Sequence, residues 1–272
     1  MDAAELIRDT YDKVAPTYDR DESDNVIVRL HWFLYERLTW NAVAAVLPEG
    51  RNLRILDAGG GSGLYAAQFA ERGHHVTVLD ISPGMLELAK ARFAQRGLLA
   101  LGAFAEGSIL SLPFADGAFD LVFCEGDPVS YCPSQYRDAI AELCRVAVPG
   151  AYVVLGVDNR LAYVVGALRS GNKAEAMSIL LTGRATCPYG LPTHAFTIRE
   201  LEEAVDAASA DVVEIFGKPV LLGEMLELFQ AERGPDVDLW EARHELLALQ
   251  ERLAHEGYAS SGGHLQVMAR RR

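Results

Sequence analysis

Hydrophobic positions in the middle of the chain change period repeatedly. Short apolar runs of strand length alternate with stretches where hydrophobic residues recur every three or four positions. That alternation predicts strands and helices laid in turn along a parallel α/β sheet. Leu53–Ala58 reads as the first strand and Leu64–Arg72 as a helix stopped by Gly73. His75–Asp80 reads as the second strand. Ser82 and Pro83 then supply an N-cap and a first-turn proline for a helix running to Gly97. Leu99–Glu106 is a weaker third strand, Phe119–Glu125 a fourth, Tyr136–Val146 a helix and Ala151–Val157 a fifth strand. Thr197 and Glu200 form a capping box opening a helix through Ala208, and Asp211–Phe216 and His264–Ala269 complete seven strands.

Three segments stand outside this alternation. Residues 1–47 hold two helical patterns, including an amphipathic one from Val28 to Leu47, and read as an N-terminal cap. Residues 159–196 interrupt the path from the fifth strand to its helix and read as a lid. Residues 223–257, within the C-terminal part of the sheet (197–272), read as inserted helices. The organisation expected is one domain over 1–272 with a ligand-binding core at 48–158. In such sheets the ligand sits outside the carboxyl ends of the strands, where these segments would close a pocket.

Composition narrows the classes. The chain has 272 residues, half of them hydrophobic, enough for a full core. No apolar run reaches the ~20 residues of a membrane span, and the polar N-terminus has no signal-peptide core. A net charge of -13 argues against nucleic acid as a partner, since phosphate contacts need clustered cations. The basic cluster at Arg270, Arg271 and Arg272 reads as a frayed tail. The four cysteines (Cys124, Cys132, Cys144, Cys187) form no C-x-x-C pair, which points to reduced thiols in a cytoplasm and to no metal site.

The first strand runs into Asp57-Ala-Gly-Gly-Gly-Ser-Gly63, with glycines at alternate positions 59, 61 and 63. Bare backbone there can approach a ligand that any Cβ would meet. The G-x-G-x-x-G spacing of a dinucleotide fingerprint is not met, because Leu64 and Ala66 fall where its last glycine belongs. Asp80 ends the second strand 17 residues beyond Gly63, where a carboxylate can accept from two ribose hydroxyls.

D-x-G-x-G-x-G resembles the first motif of class I S-adenosylmethionine-dependent methyltransferases. Three further stretches resemble the group that includes the ubiquinone and menaquinone biosynthesis enzymes. These are Tyr11-Asp-Lys-Val-Ala-Pro-Thr-Tyr-Asp19, the run from Gly107 through Leu112-Pro-Phe114 to Phe119-Asp-Leu-Val122, and Glu142-Leu-Cys-Arg-Val-Ala-Val-Pro-Gly150. The resemblance implies a Rossmann-like, mostly parallel seven-stranded sheet, S-adenosylmethionine as methyl donor and S-adenosylhomocysteine as product. It implies that Asp57, Gly59, Gly61 and Gly63 approach the donor's methionine part, and Asp80 its ribose. Ile81 and Met85 would pack near the adenine, with Ile109 in the same wall, and Tyr11 and Tyr18 would lie over the donor. Ser108 stands where the family usually has aspartate, so its bond from the adenine amino group should be weaker by around 1 kcal/mol unless Glu106 or a water substitutes.

The acceptor side is less sharply written. His194 is the base candidate, or else a residue capping the following helix. Glu125 and Asp127 follow the fourth strand and bind the donor's amino group or the acceptor, or form a solvated loop. Asn159 and Arg160 after the fifth strand are candidates for holding a polar acceptor, as are His31 and Tyr35, one turn apart on a helix. The expectation is methyl transfer to a small molecule. A protein or tRNA methyltransferase would share this core, and a non-catalytic donor-binding protein would keep the glycine loop and Asp80.

Overall fold

A computed structural model of the protein describes residues 3–18, 25–48, 50–234, 236–255 and 257–272. Two helices come first, α1 (Ala3–Tyr18) and α2 (Val26–Ala44), the second capped by the Asn25 side chain. Asp19, which closes the N-terminal motif, lies outside the described residues. The core then alternates β1 (Arg54–Ala58), α3 (Leu64–Ala70), β2 (His75–Asp80), α4 (Pro83–Gln95), β3 (Gly102–Glu106), β4 (Phe119–Cys124), α5 (Tyr136–Val146) and β5 (Ala147–Asp158). There follow α6 (Arg160–Arg169), α7 (Lys173–Thr182), a hairpin of β6 (Arg184–Thr186) and β7 (Pro192–His194), and α8 (Ile198–Ala207). β8 (Ala210–Val220), α9 (Leu222–Arg233), α10 (Arg243–His255) and β9 (Gly262–Arg271) complete the chain.

Seven strands form one sheet in the order β3-β2-β1-β4-β5-β9-β8, with β9 antiparallel between β5 and β8. The order reverses between β1 and β4, which leaves a crevice at their carboxyl ends. Both faces of the central strands are buried, as expected where helices cover each side. Leu56, Val122, Val153 and Val267 pack under α5 and α8, while Ile55, Val78, Phe123 and Met268 meet α2, α3, α4 and α10. Capping fixes where helices start: Ser82 Oγ accepts from Met85 N at 3.1 Å, and the Thr197–Glu200 box is complete.

Several sequence expectations need correction. The third strand starts at Gly102, because Leu99–Leu101 makes a single 3₁₀ turn. Residues 159–196 fold as a helix pair and a hairpin. The C-terminal arginines are not frayed. Arg270 donates to Gly150 O, Arg271 donates to the carbonyls of Arg145 and Ala147, and Arg272 pairs with Asp206. Among the described residues no helix is long and apolar enough to cross a membrane.

Candidate active site

The glycine turn is built from positive-φ backbone. Gly59, Gly61 and Gly63 have φ of 69°, 53° and 72°, where a non-glycine residue is strained. A Cβ on Gly59 would stand 2.4 Å from Pro128 Cγ, and one on Gly60 2.8 Å from Asp57 Cγ. At Gly61 it would meet nothing within 4 Å, so this is where the turn opens onto space. Asp80 shapes the turn through one carboxylate: Oδ2 accepts from Gly61 N at 2.8 Å and Oδ1 from Ser82 N at 2.9 Å. Asp57 is buried below, its Oδ2 without a partner among the described residues, and burial and then the Asp80 charge push it up to about 7.

A cavity of about 530 Å³ opens above the turn, a size that suits a small ligand. Gly59, Gly61, Asp80, Ile81, Met85, Ser108, Ile109 and Glu125 border it, all of them read from the sequence. Gly63 instead packs toward Ala89, at 3.0 Å from a Cβ placed on it. Ser108 Oγ accepts from Leu110 N at 3.2 Å. Tyr11 and Tyr18 of α1 close one end. The Tyr11 ring lies 6.1 Å from Tyr131, after β4, and 5.9 Å from Tyr189, in the β6–β7 loop. Tyr131 and Tyr189 were not among the site residues read from the sequence, although both border the cavity, as does Trp32.

At the carboxyl edge a polar cluster sits under α2. Glu125 Oε1 accepts from the Tyr35 hydroxyl and from Lys218 Nζ at 2.7 Å, while Oε2 is buried without a partner among the described residues. Lys218 is fully buried, also donates to Thr39 and Gln266, and lies 4.3 Å from the Tyr35 ring. Burial pulls its pKa down, against the pull of Glu125. Beside Lys218 on the sheet, His264 Nδ1 is 3.2 Å from Asp127 Oδ1 and 3.9 Å from Asp158 Oδ1. The His31 ring stands beside His264 at 6.4 Å, and burial followed by that neighbour lowers it to about 4. Lys218, Asp158 and His264 escaped the sequence reading. The visible signal was a lysine inside the apolar run Phe216-Gly-Lys-Pro-Val220.

Like Asp57, Gly63, His31 and Asp127, three further candidates do not border this cavity. His194 stacks on Tyr136 at 4.7 Å, packs edge-on against Phe196 and stands 3.7 Å from Glu200, with burial lowering its pKa. Arg160 is taken up by the protein's own carboxylate, reaching Glu200 at 2.6 and 2.7 Å and Ala195 O at 3.0 Å. Asn159 caps α6 and donates to the carbonyls of Ser260 and Gly262. These side chains tie residues 159–200 to one another and to the end of the sheet.

A family model described as a methyltransferase domain matches residues 55–150, the stretch that carries the glycine turn, Asp80 and Glu125. Over those residues this chain is similar to a methyltransferase domain. The chain is 39% identical over 101 residues to a malonyl-[acyl-carrier protein] O-methyltransferase of Serratia marcescens, covering 37% of this chain and 36% of that protein. It is 32% identical over 145 residues to a demethylmenaquinone methyltransferase of Renibacterium salmoninarum, covering 53% and 55%. The match thus spans between a third and about half of those relatives' lengths. Among solved structures, the [4+2]-cyclase SpnF aligns with a TM-score of 0.65 at 21% identity, covering 98% of this chain and 96% of that one. That likeness is one of fold, and it takes in the N-terminal helices, residues 159–196 and the antiparallel end of the sheet.

Proposed function

We propose that this protein binds S-adenosylmethionine and transfers its methyl group to a small-molecule acceptor, releasing S-adenosylhomocysteine. The observation that carries the reading is the open face of Gly61 beside Asp80, at the floor of a cavity within the methyltransferase domain. The residues fit the donor. Each Asp80 oxygen keeps a lone pair for a ribose hydroxyl after its backbone bond. Glu125 Oε2, buried and unpartnered on a cavity-lining residue, suits the donor's ammonium group. Ile81, Met85 and Ile109 offer apolar contacts for the adenine, with Ser108 at its polar edge. Asp57, set beneath Gly60, fixes the turn facing the methionine part.

When bound, the donor supplies an activated methyl on sulfur. The chain's own part is alignment and exclusion of water, which for a displacement of this kind supplies much of the acceleration. Tyr11, Tyr18, Tyr131 and Tyr189 close the cavity with largely apolar rings, and Trp32 and Tyr35 wall the side reached from α2. A small, partly apolar acceptor fits such walls. The reading also takes residues 1–272 as one domain, with 1–47 and 159–196 as its cover. Four free thiols suit a reducing cytoplasm, and the net charge of -13 suits neither DNA nor RNA.

Calorimetry with S-adenosylhomocysteine, S-adenosylmethionine and NAD tests the donor. Ligand at 100 times its Kd stabilises by about 2.7 kcal/mol and shifts Tm by several degrees. Binding of the two sulfur nucleosides but not NAD is the expected result. Absence of both, with the protein folded, would sink the reading.

A further inference from the structure

His264 and Asp127 lie 137 positions apart and meet because β9 runs antiparallel between β5 and β8. Asp158 and Lys218 are the strand partners of His264, so all three side chains project from the same face of the sheet, toward α2. From α2, His31 and Tyr35 close over the ring, Tyr35 at 5.1 Å between centroids. Asp127 sits between Gly126 and Pro128, which both line the cavity, and holds a left-handed φ of 69°. Asp158 is held in turn by Thr193 Oγ1 at 2.6 Å. His264 turns Nδ1 to the two carboxylates. Nε2, across the ring, has no bonded partner among the described residues, and a fifth of the side chain remains exposed where both aspartates are nearly covered.

We propose that His264, oriented through Nδ1 by Asp127, is the base that takes the proton from a hydroxyl or amine acceptor. The inference rests on the methyl-transfer reading above. In the step, the acceptor's O–H or N–H proton passes to Nε2 as the new C–O or C–N bond forms. The donor's C–S bond breaks with its electron pair left on sulfur, so the positive charge moves from sulfur to the imidazole. Asp127 and Asp158 face that charge. Burial on its own would lower the histidine's pKa, but the charge and hydrogen bond of Asp127, followed by Asp158, raise it above the ordinary value. Lys218 and His31 face the ring as opposing groups, with Tyr35 beside it and Tyr163 bonded to Asp158. The role also sets the acceptor class: a carboxylate has no proton to give, so a base beside it would serve no step.

The test compares wild type with His264→Asn and Asp127→Asn, using labelled S-adenosylmethionine and a panel of simple phenols, alcohols, amines, thiols and carboxylic acids from pH 5 to 9. Expected is methylation of phenols or amines, with kcat falling about 100-fold or more in His264→Asn, and S-adenosylhomocysteine affinity and acceptor KM within threefold. The acidic limb of the wild-type pH profile should move to lower pH in Asp127→Asn. Methylation of carboxylic acids, or an unchanged kcat in His264→Asn, overturns the proposal. So does turnover lost to EDTA and restored by a divalent cation, since the same three side chains would then be ligands. Nitrogen-15 histidine spectra of the protein saturated with S-adenosylhomocysteine decide without turnover. Neutral His264 should carry its proton on Nδ1 and titrate above the ordinary histidine value, falling in Asp127→Asn. The Nε2–H tautomer, or indifference to Asp127, overturns the pairing. Failure of the wild type to bind S-adenosylhomocysteine sinks the donor reading instead, and leaves those spectra to judge the pair.

Discussion

Asp12 of the first helix accepts the Ser82 hydroxyl at 2.5 Å, and through the same oxygen the backbone N–H of Gly84 at 2.9 Å. Ser82 is the N-cap of α4, so a carboxylate from the cap is set on the positive end of a core helix. The next residue back, Tyr11, is the centre of the tyrosine cluster that closes the cavity. The bond therefore helps to set Tyr11 at the edge of the cavity.

Asp12→Ala should uncouple the cap while leaving the core folded. Loss of a charged bond at a helix start costs about 1–2 kcal/mol, which corresponds to S-adenosylhomocysteine binding about 5- to 30-fold weaker. Calorimetry reads the affinity, and near-ultraviolet circular dichroism reads the loosened tyrosines. Unchanged affinity would mean that α1 does not close the donor site.

Lys218→Met should be among the most destabilising substitutions in the molecule. It leaves Glu125 buried without its cation, and removing one partner of a buried pair costs about 3–5 kcal/mol. The double variant Lys218→Met/Glu125→Gln should recover a large part of that loss in urea denaturation. Recovery would show that an orphaned charge, and not lost packing, causes the damage.

The glycine turn and Asp80, proposed above for the donor, were legible because they are local. Asp57, the three glycines and Asp80 lie within 24 residues on one β-turn-helix-β unit, where spacing alone dictates the turn. The cluster proposed for the acceptor was not, because its residues meet only through topology. His264 reaches Asp127 and Asp158 by the antiparallel insertion of β9, a reversal that local periodicity does not record. Arg160 and His194 misled for a related reason. Glu200, read correctly as part of a capping box, also reaches back to Arg160, so the polar residues of the lid satisfy one another rather than a ligand. The arginine run looked like a tail because the carbonyls it bonds lie far off in sequence, those of α5 and β5 more than a hundred positions away and that of Asp206 in α8 66 away.

Asp57 should impose a pH dependence on stability. Its native pKa is raised to about 7, above the ordinary value of 3.8, so the native state holds this proton where the unfolded chain has lost it. The stabilisation is present in full below about pH 4 and is lost as the pH rises through 7. Asp57→Asn should remove up to one proton's worth of slope, about 1.4 kcal/mol per pH unit, from the interval between those values. Asp158, also raised to about 7, is retained, so a residual slope should persist. Urea midpoints from pH 4 to 8 measure the difference. Parallel curves for the variant and wild type would place Asp57 in a more hydrated setting than the structure gives it.

Gly61→Ala and Gly59→Ala separate the glycine that faces ligand from the one that faces protein. At both positions a side chain meets positive φ, at a cost of about 1–2 kcal/mol. Gly61→Ala adds a methyl that touches no protein atom within 4 Å, so its stability loss should stop near that figure. The methyl would occupy the donor's approach to the backbone, and S-adenosylhomocysteine binding should fall below detection. Gly59→Ala instead drives a Cβ to 2.4 Å from the Pro128 ring, which has little freedom to yield. It should lower Tm by several degrees more than Gly61→Ala and displace the loop that carries Asp127. A Gly61→Ala protein that folds and still binds the sulfur nucleosides would show that ligand does not lie against this turn, and the donor assignment would fall with it.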